Sequence, residues 1–298
     1  MNVGFIGLGI MGKEMAHSLL KGGHTLYAHS RSGVPSTLSD AGAQPCSTPK
    51  EIAQKADVII TMLPDTPDVD VVLFGTNGVA EGLSPGKTVI DMSSISPGAT
   101  REFASRIEAL GARYLDAPVS GGQVGAANAT LTIMVGGDEQ VFESVQHLLQ
   151  LMGQNITLIG DSGAGQMCKV ANQIIVGLNI QAVAEAMLLA SASGVDPERV
   201  RQALMGGFAS SRVLEVHGER MIERNFKPGF RIELHHKDLS LALAAAADLN
   251  VPLPNTTNCQ ALFEACMAND GRQWDHSGLL RALEDKAGRQ LNAQAAAD

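Results

Sequence analysis

Cysteines and clustered basic residues are both scarce in this sequence, and their scarcity excludes several kinds of protein. The four cysteines, Cys46, Cys168, Cys259 and Cys266, form no C-x-x-C pair and no zinc-like spacing. This pattern favours reduced thiols in a cytosolic protein over a disulfide framework. Lysine and arginine total 22 against 31 acidic residues, and the sequence lacks both a basic run and an aromatic stacking platform. A nucleic-acid partner is not expected, because phosphate contacts need clustered positive charge.

An export signal and a convincing membrane span are also missing. The N-terminus begins with an apolar strand-like run and carries no basic segment before it, so we expect a cytoplasmic protein. The most apolar later window, residues 174–192, contains Asn179, Gln181 and Glu185. These polar residues predict a buried core helix and no membrane partner.

The pattern of apolar runs divides the 298 residues into two domains. The first half alternates helix-like stretches with the runs NVGFIGLG, TLYAHS, ADVIITMLP, KTVIDMSS, RYLDAPVS, TLTIMVGG and NITLIG. Such alternation predicts βαβ units and a mostly parallel sheet. Later residues show helical periodicity over 166–193, 197–205, 212–224, 236–249 and 257–268. We therefore predict an α/β domain over residues 1–162 and an all-α domain over 163–298.

The first helix of the second domain is unusually long and apolar. Residues 165–194 carry only two charges, Lys169 and Glu185. A helix that is apolar on all faces is buried on all faces, so we expect its own domain and a partner subunit to cover it. The Ala-rich tail, residues 292–298, is expected to fray.

A glycine motif follows the first strand-like run. The residues Gly7, Leu8, Gly9, Ile10, Met11 and Gly12 form G-x-G-x-x-G at the start of a helix. The first glycine allows a tight turn, the second lets backbone approach a pyrophosphate, and the third permits close helix–strand packing. The helix N-terminus offers free N–H groups to the phosphates. The motif predicts a dinucleotide site; the alternative is a glycine turn with no ligand.

The end of the second strand-like run bears on the choice of nicotinamide cofactor. An NAD site usually has Asp or Glu there, bonded to the ribose 2′-OH. This sequence has Ser30, Arg31 and Ser32 instead, and this set suits a 2′-phosphate. We predict preference for NADP(H), with NAD(H) possible if Arg31 is only a solvated surface residue.

Two later loops are further candidates for contact with the cofactor. The segments MLPDTPDV and DMSSISP each follow a strand-like run, and loops at the carboxyl ends of parallel strands surround the ligand. Leu63 and Pro64 are predicted to pack on the cofactor, and Ser93 to bond its ribose or carboxamide.

The segment DAPVSGG predicts a binding site for an anion. Ser120, Gly121 and Gly122 offer a hydroxyl and successive backbone N–H groups, which suit a substrate carboxylate. A plain glycine turn is the alternative.

Lys169 is the candidate catalytic residue. It lies near the start of the long helix and directly after the domain boundary, so we expect it to face the crevice between the domains. Asn172 follows at i+3 and Gln173 at i+4, on the same helix face. An ammonium there can donate a proton to a carbonyl oxygen that receives a hydride, and the neutral amine can act as base in reverse. The alternative is a snorkelling or ion-paired lysine.

A second polar cluster, HHKD, opens a later apolar helix. Adjacent histidines point in different directions on a helix, so His235 and His236 cannot chelate one metal ion as an i, i+4 pair does. We predict that Lys237 lies near the cofactor and that Asp238 orients Lys169 or the substrate. A solvated helix start is the alternative.

Four of these segments together resemble a known family. GFIGLGIMGKEMA, DAPVSGG, GAGQMCKVANQ and HHKDLSLAL are similar to the signature blocks of the β-hydroxyacid dehydrogenases. The resemblance implies a Rossmann domain joined to an all-α domain, and a dimer or tetramer. It also implies that Lys169 is catalytic, that Ser120–Gly122 and Asn172 hold the substrate, and that Lys237 lies at the cofactor.

The resemblance also implies a substrate. VLFGTNGV, DMSSISP, CKVANQIIV, RQALMGGFASSRVLEVHGERMI and LPNT are most similar to family members that reduce tartronate semialdehyde (2-hydroxy-3-oxopropanoate) to D-glycerate in glyoxylate metabolism. Many relatives have a second asparagine where this chain has Gln173, so no contact is assigned to that residue. The residues alone establish only a small carboxylate-bearing carbonyl or hydroxyl compound. The alternatives are a dehydrogenase of 3-hydroxyisobutyrate or another short 3-hydroxyacid, and a non-catalytic NADP(H)-binding regulator.

Overall fold

The computed structural model describes residues 1–292 and divides them into two compact units. The first unit is Met1–Lys169, and the second begins at Val170. The predicted domain boundary between residues 162 and 163 stays a proposal of ours, based on the end of the strand pattern. The tail for which we expect fraying lies outside the described residues, apart from Asn292.

The first unit is built on one twisted sheet. Its strands are β1 Asn2–Ile6, β2 Thr25–His29, β3 Gln44–Pro45, β4 Val58–Thr61, β5 Thr88–Asp91, β6 Arg113–Asp116, β7 Val119–Ser120, β8 Leu131–Gly137 and β9 Gly153–Gly160. They pair in the order β3-β2-β1-β4-β5-β6-β8-β7, and β9 pairs with β8. The pairs from β3 to β6 are all parallel, as predicted for βαβ units.

Helices connect these strands. They are α1 Gly12–Lys21, α2 Ser36–Ser39, α3 Pro49–Lys55, α4 Thr66–Phe74, α5 Pro97–Glu108, α6 Gly122–Ala127 and α7 Glu139–Leu149, with a 3-10 turn at Val79–Gly82. Asp65 and Ser96 begin α4 and α5 by accepting backbone N–H bonds at the N-cap. Neighbouring residues on a strand belong to different apolar clusters, for example Ile59 and Ile60. The central strands are therefore covered by apolar side chains on both faces, which is why their runs are apolar throughout.

The sheet is mostly parallel, as predicted, and its antiparallel pairings lie at one edge. Strand β8 runs antiparallel to β6 and β7. A parallel pairing needs a crossover of a dozen or more residues, and residues 121–130 between β7 and β8 are too few for that. The two-residue strand β3 was not predicted, because it is short and contains a proline.

The second unit is helical, as predicted. Helix α8, Ala164–Ala192, begins in the first unit and continues into the second, followed by α9 Pro197–Leu204, α10 Arg212–Ile222, α11 Ile232–Asp248, α12 Pro254–Ala268 and α13 Leu279–Ala287. Short 3-10 turns lie at Gly271–Gln273 and His276–Gly278. Among residues 170–292, β pairing is limited to one bridge between Arg231 and Asp275. Helix α13 was not predicted.

Helix α8 is less buried than predicted. By length and composition it could cross a membrane, and only 28% of its most apolar window is buried in the chain. Ile175 and Leu189 are 61% and 73% exposed. The chain's own residues therefore cover only part of this helix, and its cover by a partner subunit stays a prediction. The exposed positions Ala171, Ile175, Ala182, Glu185 and Leu189 recur at helical spacing, so they form one stripe that is apolar except at Glu185.

Candidate active site

The glycine loop between β1 and α1 has the geometry that its motif predicts. Gly7 has φ of +101°, and a Cβ there would lie 2.2 Å from the Met62 carbonyl oxygen. A Cβ on Gly12 would lie 1.9 Å from the Gly7 carbonyl oxygen, so helix and turn touch directly. A Cβ on Gly9 meets no heavy atom of the described chain within 4 Å. The loop is therefore closely packed against other backbone atoms at Gly7 and Gly12, and it is open at Gly9, where a ligand can approach the backbone.

The first turn of α1 can accept an anion. Met11 stands at the N-cap of α1, and within the described chain its side chain makes no capping hydrogen bond. The Lys13 N–H donates to the Gly9 carbonyl oxygen and the Glu14 N–H to that of Met11, so the positive end of the helix dipole is the feature that favours a phosphate here. Leu8 is buried and Ile10 is exposed. These loop residues fit the pyrophosphate of a dinucleotide.

The loop after β2 begins beside the glycine loop, where the Gly7 N–H donates to the carbonyl oxygen of His29 at 3.0 Å. The hydroxyls of Ser30 and Ser32 are 3.3 Å apart. The side chain of Arg31 is 86% exposed and lies 3.7 Å from a carboxylate oxygen of Asp68. An exposed pair at this distance is weak, so the guanidinium can exchange that partner for a phosphate.

The loops after β4 and β5 are bonded to each other. The Leu63 N–H donates to the Ser93 hydroxyl at 2.9 Å, and Ser93 is fully buried. The Ser93 N–H and the Thr61 hydroxyl both donate to Asp91, at 3.1 and 2.7 Å. Burial raises the pKa of the Asp91 carboxyl to about 6. In this structure Ser93 holds the loop that carries Leu63 and Pro64.

Ser120 ends β7, and the two glycines after it turn the chain into α6. Gly121 and Gly122 have φ of +133° and +60°, values that favour glycine. A Cβ on Gly121 would lie 3.2 Å from the Leu131 side chain. The turn therefore requires glycine at Gly121 and favours it at Gly122, and its successive N–H groups suit an anion.

Two residues that the sequence analysis did not select fix the start of α8. Asp116, at the end of β6, accepts bonds from the N–H groups of Gly163 and Gln166 at 2.7 and 2.8 Å. The Gln166 side chain donates to the Ser93 carbonyl oxygen and accepts from the Ile95 N–H, at 2.7 and 3.1 Å. Burial raises the pKa of the Asp116 carboxyl, and the bonds from the Gly163 and Gln166 N–H groups only partly oppose this rise. The cofactor-side loop and the first turn of α8 are thereby joined within the first unit.

Lys169 lies in the second turn of this anchored helix. It is 7% exposed, and burying an ammonium is costly unless it has a partner or a function. The bonds of Asp116 and Gln166 determine where the turn before it lies. The lysine is therefore buried and held on a fixed helix, as a proton donor requires.

A hydrogen-bonded chain joins four polar side chains in the second unit. The Asn172 amide donates to the Gln173 side-chain oxygen at 2.7 Å. The Gln173 amide donates to Asp238 at 2.7 Å, and Lys237 pairs with the other Asp238 oxygen at 3.1 Å. Helices α8 and α11 supply two members each. Three of the four were predicted as site residues. The sequence analysis assigned no contact to Gln173, and in the structure it links Asn172 to Asp238.

The structure supports the grouping of the candidates in each unit. In the first unit the sheet brings together the glycine loop, the loop after β2 and the Leu63–Ser93 pair. In the second unit, the packing of α8 against α11 brings Asn172 close to Lys237 and Asp238 through Gln173. The missed residues Asp116, Gln166 and Gln173 carried a weak signal, since each is a polar residue inside a segment that was singled out.

Comparisons with known proteins agree with this site. Residues 2–160 match the model of the NAD binding domain of 6-phosphogluconate dehydrogenase. Residues 163–283 match the model for NAD-binding of NADP-dependent 3-hydroxyisobutyrate dehydrogenase. Both models describe nicotinamide dinucleotide enzymes, as the glycine loop predicts.

Relatives match over almost the whole chain. A 2-hydroxy-3-oxopropionate reductase of Escherichia coli (strain K12) is 58% identical, covering 98% of this chain and all of the relative. A 2-(hydroxymethyl)glutarate dehydrogenase of Eubacterium barkeri is 39% identical, covering 97% of this chain and 96% of the relative. The structure of Mycobacterium tuberculosis 3-hydroxyisobutyrate dehydrogenase with L-serine has a TM-score of 0.86 at 32% identity, covering 95% and 98% of the two chains. These matches confirm the resemblance: the chain belongs to the β-hydroxyacid dehydrogenase family and is an NAD(P)-dependent oxidoreductase.

Proposed function

We propose that this enzyme reduces tartronate semialdehyde to D-glycerate with NAD(P)H, and that the reaction is reversible. The single observation that carries the proposal is the 58% identity to the Escherichia coli 2-hydroxy-3-oxopropionate reductase over 98% of this chain. The polar residues suit a small hydroxylated acid, because Asn172, Gln173 and Asp238 offer amide and carboxylate groups. D-Glycerate formation places the enzyme in glyoxylate metabolism.

The proposed mechanism uses Lys169 as general acid. When bound, the nicotinamide cofactor supplies the hydride for reduction. The Lys169 ammonium donates a hydrogen bond to the aldehyde oxygen, stabilises the negative charge that develops there, and transfers its proton. In the oxidative direction the neutral amine accepts the hydroxyl proton. Anchoring of the α8 start by Asp116 and Gln166 supports this role.

The substrate is proposed to bind through its carboxylate and its hydroxyl. The Ser120 hydroxyl and the N–H groups of Gly121 and Gly122 donate hydrogen bonds to the carboxylate. Asn172 and Asp238 bind the hydroxyl side, with the Gln173 bond holding Asp238 in place.

The cofactor is proposed to be NADP(H) in preference to NAD(H). Arg31, with Ser30 and Ser32, binds the 2′-phosphate, and the exposure of Arg31 supports its availability. Residues 7–12 bind the pyrophosphate. Leu63 and Pro64 pack against the cofactor, Ser93 supports their loop or bonds the ribose, and Lys237 lies at the nicotinamide side.

The enzyme is further proposed to be a cytoplasmic homodimer or homotetramer. All four cysteines are free, as expected in a reducing compartment. The exposed stripe on α8, Ala171, Ile175, Ala182, Glu185 and Leu189, is apolar except at Glu185 and supports association of subunits.

The test is a parallel assay with two aldehydes. Purified enzyme is given tartronate semialdehyde or methylmalonate semialdehyde, and loss of NADPH or NADH absorbance is followed. We expect fast turnover of the first substrate, with NADPH ahead of NADH. Turnover of the methyl-bearing substrate alone would assign the enzyme to the 3-hydroxyisobutyrate activity. Cofactor binding with no turnover of either would favour a regulator.

A further inference from the structure

Three histidines form a hydrogen-bonded chain inside the second unit. His276 Nε2 lies 3.0 Å from His217 Nε2, and His276 Nδ1 lies 2.8 Å from His235 Nδ1. His235 Nε2 lies 3.1 Å from the backbone oxygen of Gln173. His235 and His276 are buried, and His217 is partly exposed. None of these histidines belongs to the proposed catalytic or substrate-binding residues.

The acceptor at one end fixes every proton in this chain. A carbonyl oxygen can only accept, so His235 carries its proton on Nε2 and its Nδ1 accepts. His276 must then donate from Nδ1 and accept at Nε2. His217 in turn must donate from Nε2. The three rings therefore donate in one direction, towards Gln173.

The other end of the chain lies beside a buried carboxylate. His217 Nδ1 lies 3.6 Å from Asp275 Oδ1, and Arg220 Nε lies 3.5 Å from the same oxygen. Burial alone raises the pKa of Asp275, but the bonds from Ser277 and the Phe230 N–H are among the causes that hold it below its usual range. Burial is the largest cause that lowers the pKa of His276, which stays neutral.

A bound metal ion fits these groups less well. His217, Asp275 and His276 each have a ligand atom within 4.8 Å of the others. However, Asp275 already accepts bonds from the N–H groups of Gly229, Phe230 and Ser277. The Arg220 guanidinium also lies beside Asp275, and its positive charge disfavours a metal ion at the same carboxylate. The hydrogen-bonded arrangement is therefore favoured.

The chain ends on α8 at a place that glycine leaves open. A Cβ on Gly177 would lie 3.1 Å from His235 Nε2 and 3.5 Å from the Cys259 sulfur. Glycine inside a helix is destabilising by roughly 0.5–1 kcal/mol relative to alanine. Its presence in the middle of α8 lets the His235 ring reach the Gln173 carbonyl group.

Two bonds then join α8 and α11 at one turn. His235 donates to the Gln173 backbone, and Asp238, three residues later on α11, accepts from the Gln173 side chain. We propose that His235, oriented by His276 and His217, is a positioning residue that fixes the spacing of α8 and α11 where Asn172, Gln173, Lys237 and Asp238 lie. This inference rests on the proposed function only in taking those four as residues of the substrate and cofactor site.

The protonation pattern can be measured without any substrate. The intact protein is labelled with ¹⁵N-histidine, and long-range ¹H–¹⁵N spectra at neutral pH report the tautomer of each of the eight histidines. Single His→Gln variants assign the signals. We expect the Nε2–H form for His235, the Nδ1–H form for His276 and a proton on Nε2 of His217. A different tautomer at His235 or His276, or co-purified zinc that shifts the His217 and His276 signals, would overturn the proposal.

The positioning role is tested by steady-state kinetics. His235→Leu removes the donor, and His235→Gln retains one at a similar reach. We expect the leucine variant to raise KM for the semialdehyde about ten- to hundredfold, and the glutamine variant to restore it to within about threefold of the unmodified enzyme. KM for the cofactor changes little in both. A purely structural role would lower kcat through loss of active enzyme and leave both KM values unchanged.

Two further variants control for folding. His236→Leu alters the adjacent residue, which takes no part in the chain, and is expected to keep both KM values. Gly177→Ala leaves every hydrogen-bonding group present but places a Cβ 3.1 Å from His235 Nε2, and we expect a smaller rise in KM for the semialdehyde than in His235→Leu. An unchanged KM in Gly177→Ala would contradict the proposal. If the enzyme turns over another aldehyde, the same variants are measured with that substrate, so the two proposals fail separately.

Discussion

At the scale of single residues, Lys169 carries the chemistry of the proposal. We expect Lys169→Met to lower kcat about 10²- to 10⁴-fold, the usual contribution of a general acid. Binding of NADPH, measured by fluorescence, should persist because Lys169 is not among the residues proposed to bind the cofactor. Lys55→Met, which alters an exposed lysine paired with Glu51, serves as the control. Full activity in Lys169→Met would exclude the mechanism.

Arg31 is expected to set the choice of cofactor. Arg31→Ala should lower the ratio of kcat/KM for NADPH to that for NADH about ten- to hundredfold, the value of a charge-assisted bond of roughly 1.5–3 kcal/mol. Arg199 is equally exposed, at 86%, and also pairs with an aspartate. Arg199→Ala should leave the ratio unchanged. Equal ratios in the two variants would remove the argument for NADP(H).

Asp91 stabilises the loop around Ser93 but carries its charge at a cost. Its pKa is raised from 3.8 to about 6, so the unfolded chain ionises first as the pH rises. The free energy of unfolding therefore falls by about 3 kcal/mol as the pH rises from 3.8 to about 6, and it stays at this lower value above pH 6. Asp91→Asn keeps an acceptor for Thr61 and Ser93, and we expect it to raise the melting temperature at pH 7 but not near pH 4. The exposed Asp40→Asn should change neither; equal melting curves of Asp91→Asn and the unmodified protein at pH 7 would refute the buried charge.

At the scale of elements, the start of α8 depends on one glutamine. Gln166→Leu leaves the Ile95 N–H and the Ser93 carbonyl group buried without their partner. Each such group costs roughly 1–3 kcal/mol, so we expect urea unfolding to show a loss of about 2–6 kcal/mol. Gln140→Leu, on the exposed face of α7, should change stability by less than about 0.5 kcal/mol. A similar small effect in Gln166→Leu would show that the bonds do not anchor the helix.

These same elements show how far the sequence could be interpreted. The βαβ alternation, the glycine loop and the long helix follow from local patterns, because strand and helix periodicities and the roles of glycine depend on near neighbours. The partners of Asp116 and Gln173 could not be predicted, since they lie 47 to 65 residues away along the chain. The histidine chain was missed for the same reason: His235 was compared with its neighbour His236, while its partner is His276.

At the scale of the whole molecule, the apolar stripe on α8 predicts self-association. Leu189→Glu places a charge on this stripe and is expected to shift the enzyme towards monomers in size-exclusion chromatography with light scattering. Leu249 has a similar exposure, 62% against 73%, but lies on the C-cap of α11. Leu249→Glu should leave the oligomer intact. A monomer in the unmodified protein would contradict the role given to the stripe.

The contrast between the glycine loop and the loop after β2 has a consequence for redesign. Gly7 and Gly12 touch backbone atoms and tolerate no side chain, whereas Arg31 projects into solvent and bonds weakly to Asp68. Substitutions in the loop after β2 can therefore change the preference between NADP(H) and NAD(H) without altering the glycine loop, which binds the pyrophosphate common to both cofactors. A combinatorial library limited to residues 30–32 and 68 should yield NADH-preferring enzymes of unchanged thermal stability.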